Sequence, residues 1–342
     1  MLRVNDLIAL ARSKSASDLH IAYGLPVKCR IDGKITSITE DAITDADCEA
    51  FAKELAGPKY EELSTVGELD LAVTAECGAR VRVNIFKARG HLSFALRILN
   101  DYIPEIEELS LPPAVAEFPK YKSGLVLVTG ETGSGKSTTL AAVLNRINHT
   151  ESKHIITLED PIEYVYTPDK CLVNQREIGK DTNSYDDGLR AALREDPDVI
   201  LIGEMRDLET IETALTAAET GHLVFATLHT NSASDSIDRV VSVFPSGRQQ
   251  QIRTQLAGTL RAVLAQQLVP KIGSGRVAAC EVMTVSAAIQ NLIREGKTPQ
   301  IDNFITMNAR EGNILMDTAL ANLARAGKIS QQEATQRSKN RK

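Results

Sequence analysis

The residues best suited to chemistry are "GETGSGKST", residues 130–138. Gly130, Gly135, Lys136 and Ser137 satisfy the spacing G-x-x-x-x-G-K-[ST] of a phosphate-binding loop. Thr132, Gly133, Ser134 and Thr138 complete it. Glycines let consecutive backbone N–H groups turn inward around phosphate oxygens, and a following helix N-terminus adds positive potential. Lys136 then meets the β- and γ-phosphates, and the Ser137 hydroxyl is a ligand for Mg²⁺.

Three further clusters carry candidate groups. "VILIGEMRD" runs four apolar residues into Gly203-Glu204. A carboxylate at the C-terminal end of a parallel strand faces the ligand crevice, so Glu204 is placed to polarise an attacking water. Many phosphate-loop enzymes carry Asp where Gly203 stands. "TLEDPIEY" ends another apolar run in Glu159, Asp160 and Glu163, which predicts ligands to Mg²⁺ or its waters. The predicted metal set is Ser137, Glu159, Glu163 and Glu204. "ETGHLVFATLHT" brackets a buried-strand pattern with His222 and His229. Seven positions along a strand span ~23 Å and leave the two rings on opposite faces, so they do not share a metal.

These groups need elements to hold them. Short apolar runs "LVLVTG", "HIITLED", "VILIGE" and "LVFATLH" alternate with helical spacing from Gly124 onward. That alternation predicts an α/β fold, a mostly parallel sheet covered by helices. The phosphate loop falls between the strand "LVLVT" and a helix with Leu140, Val143, Leu144 and Ile147 on one face. After about Ser246 the chain reads as mainly helical.

The first ~100 residues read as a separate α+β domain. A hairpin is expected at Asp32-Gly33 and another near Arg89-Gly90, with a helix between them that stops at Gly57-Pro58. Residues 100–123, Pro-rich and acidic, read as a linker. The domains expected are therefore 1–99 and 124–342. Arg80 and Arg82 share a strand face, and hairpin register brings Arg97 to the same end. Arg190 and Arg194 are expected to pair with neighbouring carboxylates.

Composition narrows the function classes. Lys+Arg 39 against Asp+Glu 45 gives a net charge of −6, and only 4% of the 342 residues are aromatic. Neither suits a nucleic-acid binder, which wants a basic face and stacking rings. The five cysteines form no C-x-x-C pair and read as reduced thiols of a cytosolic protein. No apolar stretch approaches the ~18 residues of a membrane span. No N-K-x-D guanine reader and no L-S-G-G-Q-like signature occurs.

The order of phosphate loop, "LEDPIEY", "LIGEMRD" and "TGHLVFATLHT" resembles the type II/IV secretion ATPase superfamily. The last three are similar to its Asp, Walker B and His boxes. "ASDLH", "CLVNQREIGKDT" and "NLIREGK" narrow the resemblance to the PilT-type pilus retraction ATPases. It implies a PAS-like N-terminal domain, a RecA-like ATPase domain with a helical C-terminal end, and a homohexameric ring. The implied activity is ATP hydrolysis powering pilus retraction and twitching motility. The implied place is the cytoplasmic face of the inner membrane, against a pilus platform protein, with ATP and Mg²⁺ as ligands. His229 would sense the γ-phosphate, while Arg82 and Arg97 would approach it as arginine fingers. Two positions depart from the retraction type: Glu131 stands in place of Pro, and Gln290 in place of Arg. Assembly, secretion and conjugation ATPases remain alternatives, as does a non-hydrolysing nucleotide-dependent regulator. The C-x-x-C zinc module usual in assembly and secretion types does not occur.

Overall fold

A computed structural model describes residues 3–31, 34–99 and 102–339. Its contacts divide the chain into two units: Met1–Tyr102 with Pro161–Val165, and Ile103–Asp160 with Tyr166–Lys342.

The first unit runs α1 Val4–Ser13, β1 Asp18–Ala22, β2 Pro26–Ile31, β3 Lys34–Ala42, α2 Asp45–Ala56, α3 Tyr60–Val66, β4 Glu68–Thr74, β5 Arg80–Ala88 and β6 His91–Ile98. The strands form one antiparallel sheet in the order β3-β2-β1-β6-β5-β4. Alternate residues of β5 (Val81, Val83, Ile85) point into a core with Phe51, Phe94 and Leu96, as period-two patterning requires. A capping box fixes the start of α2: Thr44 accepts the Asp47 N–H, and Asp47 accepts the Thr44 N–H. The β5–β6 turn is made by Arg89 and Gly90, both at positive φ, the conformation a two-residue hairpin demands. The Asp32-Gly33 turn lies outside the described residues, but its flanking strands pair Ile31 with Lys34.

The second unit contains β7 Gly124–Thr129, α4 Lys136–Thr150, β8 His154–Glu159, β9 Leu172–Glu177, α5 Tyr185–Ala192, β10 Val199–Ile202, α6 Leu208–Glu219, β11 Leu223–Leu228, α7 Ala233–Ser242 and α8 Ser246–Thr259. It continues through β12 Leu260–Pro270, β13 Arg276–Thr284, α9 Ala287–Arg294, α10 Ile301–Met307, α11 Met316–Arg325 and α12 Gln331–Arg337. The sheet order is β13-β12-β7-β11-β10-β8-β9, parallel except for β13. Every residue of β7, β10 and β11 is buried, because helices cover both faces of a parallel sheet.

Two expectations are corrected here. The helical region after about Ser246 is interrupted: between α8 and α9, β12 and β13 form a long antiparallel hairpin added to the sheet edge. Of the expected linker 100–123, residues 103–123 belong to the second unit. Short 3-10 turns at Ile106–Leu109 and Pro113–Lys120 bury Ile106, Val115 and Phe118 within the second unit. Arg146 of α4 holds Glu105 at 3.1 Å and also pairs with Glu107.

Among the described residues no helix is long and apolar enough to cross a membrane. All five cysteines are free thiols.

Candidate nucleotide site

The parallel strands deliver the candidate groups to one edge of the second sheet. Register pairs Thr129 with Leu228, and Ile202 with both Ala226 and Leu158. The strands therefore end side by side, β7 entering the loop at Gly130, β10 reaching Glu204, β11 reaching His229 and β8 reaching Glu159. The C-terminal edge of such a sheet is where ligands bind.

The loop at Gly130–Gly135 is built for close backbone approach. Gly130, Gly133 and Gly135 all have positive φ. A Cβ on Gly130 would lie 2.3 Å from the Gln266 carbonyl oxygen and 2.6 Å from Ser134 Oγ, so only glycine fits. Gly135 sits at the N-cap of α4 with no side chain capping the helix, which leaves first-turn N–H groups for an anion. Lys136 Nζ donates to the Gly130 carbonyl at 2.7 Å and to the Glu131 carbonyl at 3.0 Å, so the cation sits at the loop's mouth. Thr129 Oγ1 and Ser134 Oγ are buried with no hydrogen-bond partner among the described residues. Gly130→Ala should strain the loop by on the order of 1–3 kcal/mol. Fluorescence titration with a labelled nucleotide should then read a loss of affinity; unchanged affinity would show that the loop can open elsewhere.

The turn after β10 is stitched from both sides. Gly203 N–H donates to Leu158 O at 2.8 Å, Met205 N–H donates to Thr227 O at 3.1 Å, and the Thr227 hydroxyl donates to Gly203 O. A Cβ at Gly203 would come to 3.0 Å from Tyr185 Oη and 3.1 Å from Leu158 O. Glycine is thus the residue that fits here without displacing a neighbour, at a position that carries Asp in many phosphate-loop enzymes. On that fixed turn the Glu204 carboxylate, 18% exposed, holds His229 Nε2 at 3.0 Å and an Arg206 terminal nitrogen at 2.7 Å. Burial alone would push the Glu204 carboxyl up. The Arg206 hydrogen bond, the charges of His229 and Arg206 and the His229 hydrogen bond outweigh it, leaving the group below its ordinary range. Glu204 is thus an ionised carboxylate at neutral pH.

His222 does something else. Its Nδ1 donates to Ala217 O at 2.9 Å at the end of α6, which makes it a turn-holding residue at the opposite edge of the sheet. Glu159 accepts from the Thr157 hydroxyl at 2.6 Å and from Gln175 Nε2 at 3.1 Å. Glu163 lies in the segment that clusters with the first unit and lines a cavity there with Arg12, Ser15 and Ser17. The predicted metal set is not gathered into a protein-only cage: among the described residues no three His, Cys, Asp or Glu side chains converge as a metal site.

In the first unit, Arg82 and Arg97 are direct cross-strand partners, as hairpin register predicts. Asp18, in "ASDLH", accepts Arg97 Nε at 3.1 Å and lies 3.8 Å from Arg30. Arg190 pairs with Asp186 at 2.8 Å. The residue that sequence reasoning passed over is Arg206. Its only signal was its place two positions after Glu204, in a segment without periodicity.

A parallel sheet with a glycine phosphate loop on an interior strand, and an ionised glutamate on the next strand but one, defines a phosphate-loop NTPase. The family described as Type II/IV secretion system protein matches residues 2–336, and the chain belongs to it. It is 44% identical over 337 residues to the Type IV pilus retractation ATPase PilT of Pseudomonas aeruginosa, covering 98% of each. It is also 44% identical over 329 residues to the uncharacterized protein YggR of Escherichia coli, covering 96% of this chain and 100% of that one. A crystal structure of the pilus retraction motor PilT with bound ADP matches with a TM-score of 0.94 at 45% identity, covering 99% of this chain and 98% of that one. The ATPase DotB of Legionella pneumophila matches with a TM-score of 0.84 at 29% identity, covering 97% and 94%.

Proposed function

We propose that this protein is a motor ATPase that retracts type IV pili. It works as a homohexamer at the cytoplasmic face of the inner membrane, against a pilus platform protein. The observation that carries the reading is the pairing of an uncapped glycine phosphate loop with an ionised glutamate held by a histidine and an arginine. Near full-length similarity to a protein named as a pilus retraction ATPase supplies the machine.

In this reading the backbone N–H groups of residues 130–138 wrap the ATP phosphates, and Lys136 neutralises the β- and γ-oxygens. Ser137, through its hydroxyl, would hold Mg²⁺ together with Glu159, Glu163 and Glu204, and such an ion would supply charge neutralisation at the phosphates. Glu204 orients a water in line with the γ-phosphate and takes its proton, because a carboxylate that is already ionised can accept one. His229 bonds the γ-phosphate and so reports whether it is present. Arg82 and Arg97 stabilise the charge that develops on the transferred group.

The test is Mg-ATP turnover by the purified protein, with light scattering to size the assembly and a twitching assay in the host lacking the gene. Turnover by a six-membered ring together with lost twitching is expected. Absence of turnover at high protein concentration would leave a nucleotide-dependent regulator instead. Gln290, on α9, stands where the retraction type carries a cation, and this favours a second reading. There the same ATPase drives a related assembly, secretion or conjugation machine, and a host that loses pili, not their retraction, would select it.

A further inference from the structure

Glu281 is a buried carboxylate apart from the phosphate loop and the Glu204–His229 pair. It lies on β13 and is 4% exposed. One oxygen accepts the N–H of Ala233 at 2.7 Å and the other accepts the N–H of Met316 at 3.1 Å. Ala233 is the first residue of α7 and Met316 the first residue of α11. One side chain therefore caps two helices from outside, and the positive ends of both helices compensate its charge. Burial pushes its carboxyl up, and the two N–H bonds pull it back only in part. A buried group of this kind is costly unless its bonds are all made.

The two helices matter because of what they join. α7 begins four residues after His229, and the intervening loop is locked to it. The Thr230 and Ser236 hydroxyls are 2.7 Å apart, and Ser236 Oγ donates to Ser232 O at 2.6 Å. His229 itself is 44% exposed on its side chain, so packing alone does not hold it. At the other end, α11 leads through a shared apolar cluster to α12. The end of α12, Gln336 and Arg337, and its C-cap Ser338 line a cavity of about 380 Å³ with Glu131–Ser134 of the phosphate loop and Asn231 of the His229 loop. The helical pair thus starts at a carboxylate tied to the His229 loop and ends beside the phosphate loop.

We infer that Glu281 is a positioning residue of the nucleotide site, fixing the loop that bears His229 and joining it to the C-terminal helices that reach the phosphate loop. This rests on the reading that His229 faces the γ-phosphate.

Glu281→Gln is the variant of choice. It keeps the volume and one acceptor, but turns an amide donor toward one of the two N–H groups. The fold has independent anchors at both ends: Val282 and Ile314 exchange two backbone hydrogen bonds ahead of α11, and Ser232 still caps α7. Glu281→Asp serves if the first variant does not fold. The expected result is a fall in kcat of about tenfold or more, because a loop displaced by an ångström loses alignment. The Kd for a fluorescent ATP analogue should stay within about twofold, since the phosphate loop is untouched. Made in a His229→Ala background, the same substitution should change kcat by less than about twofold, since groups acting in series are not additive. An equal fall in both backgrounds, or a parallel loss of nucleotide affinity, would overturn the proposal. Hydrogen exchange provides a readout independent of turnover. Amides of residues 229–233 should exchange faster in the variant, and unchanged protection sinks the positioning role even if the wild type hydrolyses no ATP. Absence of wild-type turnover with faster exchange would instead fault the ATPase reading alone.

Discussion

Glu204→Gln should bind ATP as the wild type does and hydrolyse it roughly 10²–10⁴ times more slowly, the usual worth of a positioned general base. The glutamine keeps the shape and can still accept from Arg206 or His229, so the turn fixed by Leu158 and Thr227 need not move. What it loses is the ability to take a proton and the charge that orients a water. Single-turnover measurements at saturating Mg-ATP, beside a nucleotide titration, separate the two. A variant that turns over at more than about a tenth of the wild-type rate would remove Glu204 from the base role. The sign of the pH dependence follows from the environment. Because the folded-state carboxyl sits below its ordinary value of 4.5, Glu204 is fully ionised above that value, and rate attributable to it is lost only on acidification through the lower folded value. A limb in kcat near neutral pH must therefore belong to another group.

Arg97→Ala and Arg82→Ala should each lower kcat by about 10³ or more with little change in nucleotide affinity, as loss of an arginine finger does. The two guanidinium groups come from directly paired positions on β5 and β6, and Arg97 is oriented by Asp18. Asp18→Asn should consequently reproduce part of the Arg97 defect, because the neutral amide holds the guanidinium less firmly. Mixing adds a sharper readout. If one subunit lends its arginine to another's phosphate loop, Arg97→Ala protein mixed with Lys136→Ala protein should regain activity that neither has alone. Mixtures as inactive as their components would assign the arginines to the subunit that binds the nucleotide, or to no catalytic role.

The site was legible in the sequence to the extent that it is local. The phosphate loop is a contiguous string whose glycines carry their own conformational reason, and the four core strands announce themselves as unbroken apolar runs. The Glu204 position followed from being the first polar side chain past such a run. What stayed hidden depends on partners far along the chain. The β12–β13 hairpin gives no strand signal because "LRAVLAQQLVP" has no clean alternation: its central residues are buried on both faces between β7 and β13. Residues 103–123 look like a linker by composition, and only their packing onto α4 shows otherwise. Glu281 reads as one acid in an apolar strand, and its meaning lies in two helix starts, at Ala233 and Met316. Gly203 looked like a missing aspartate until Tyr185 and Leu158 showed that a side chain there is crowded.

β7, an interior strand of the second sheet, has no neighbour that is near in sequence. Gly124 pairs with Leu223 on one side and Leu125 with Leu260 on the other. On a ribosome adding about 5–20 residues per second, β7 and its phosphate loop must wait on the order of five to twenty seconds for the first of those partners to be made. During that time "GLVLVT", an apolar, uncharged and sheet-prone string, has both edges unpaired, which is the hazard that promotes intermolecular pairing. The nucleotide site therefore cannot be assembled before β11 has been made. Synthesis slowed between residues 130 and 260 should lower the yield of soluble protein more than the same delay placed after residue 284.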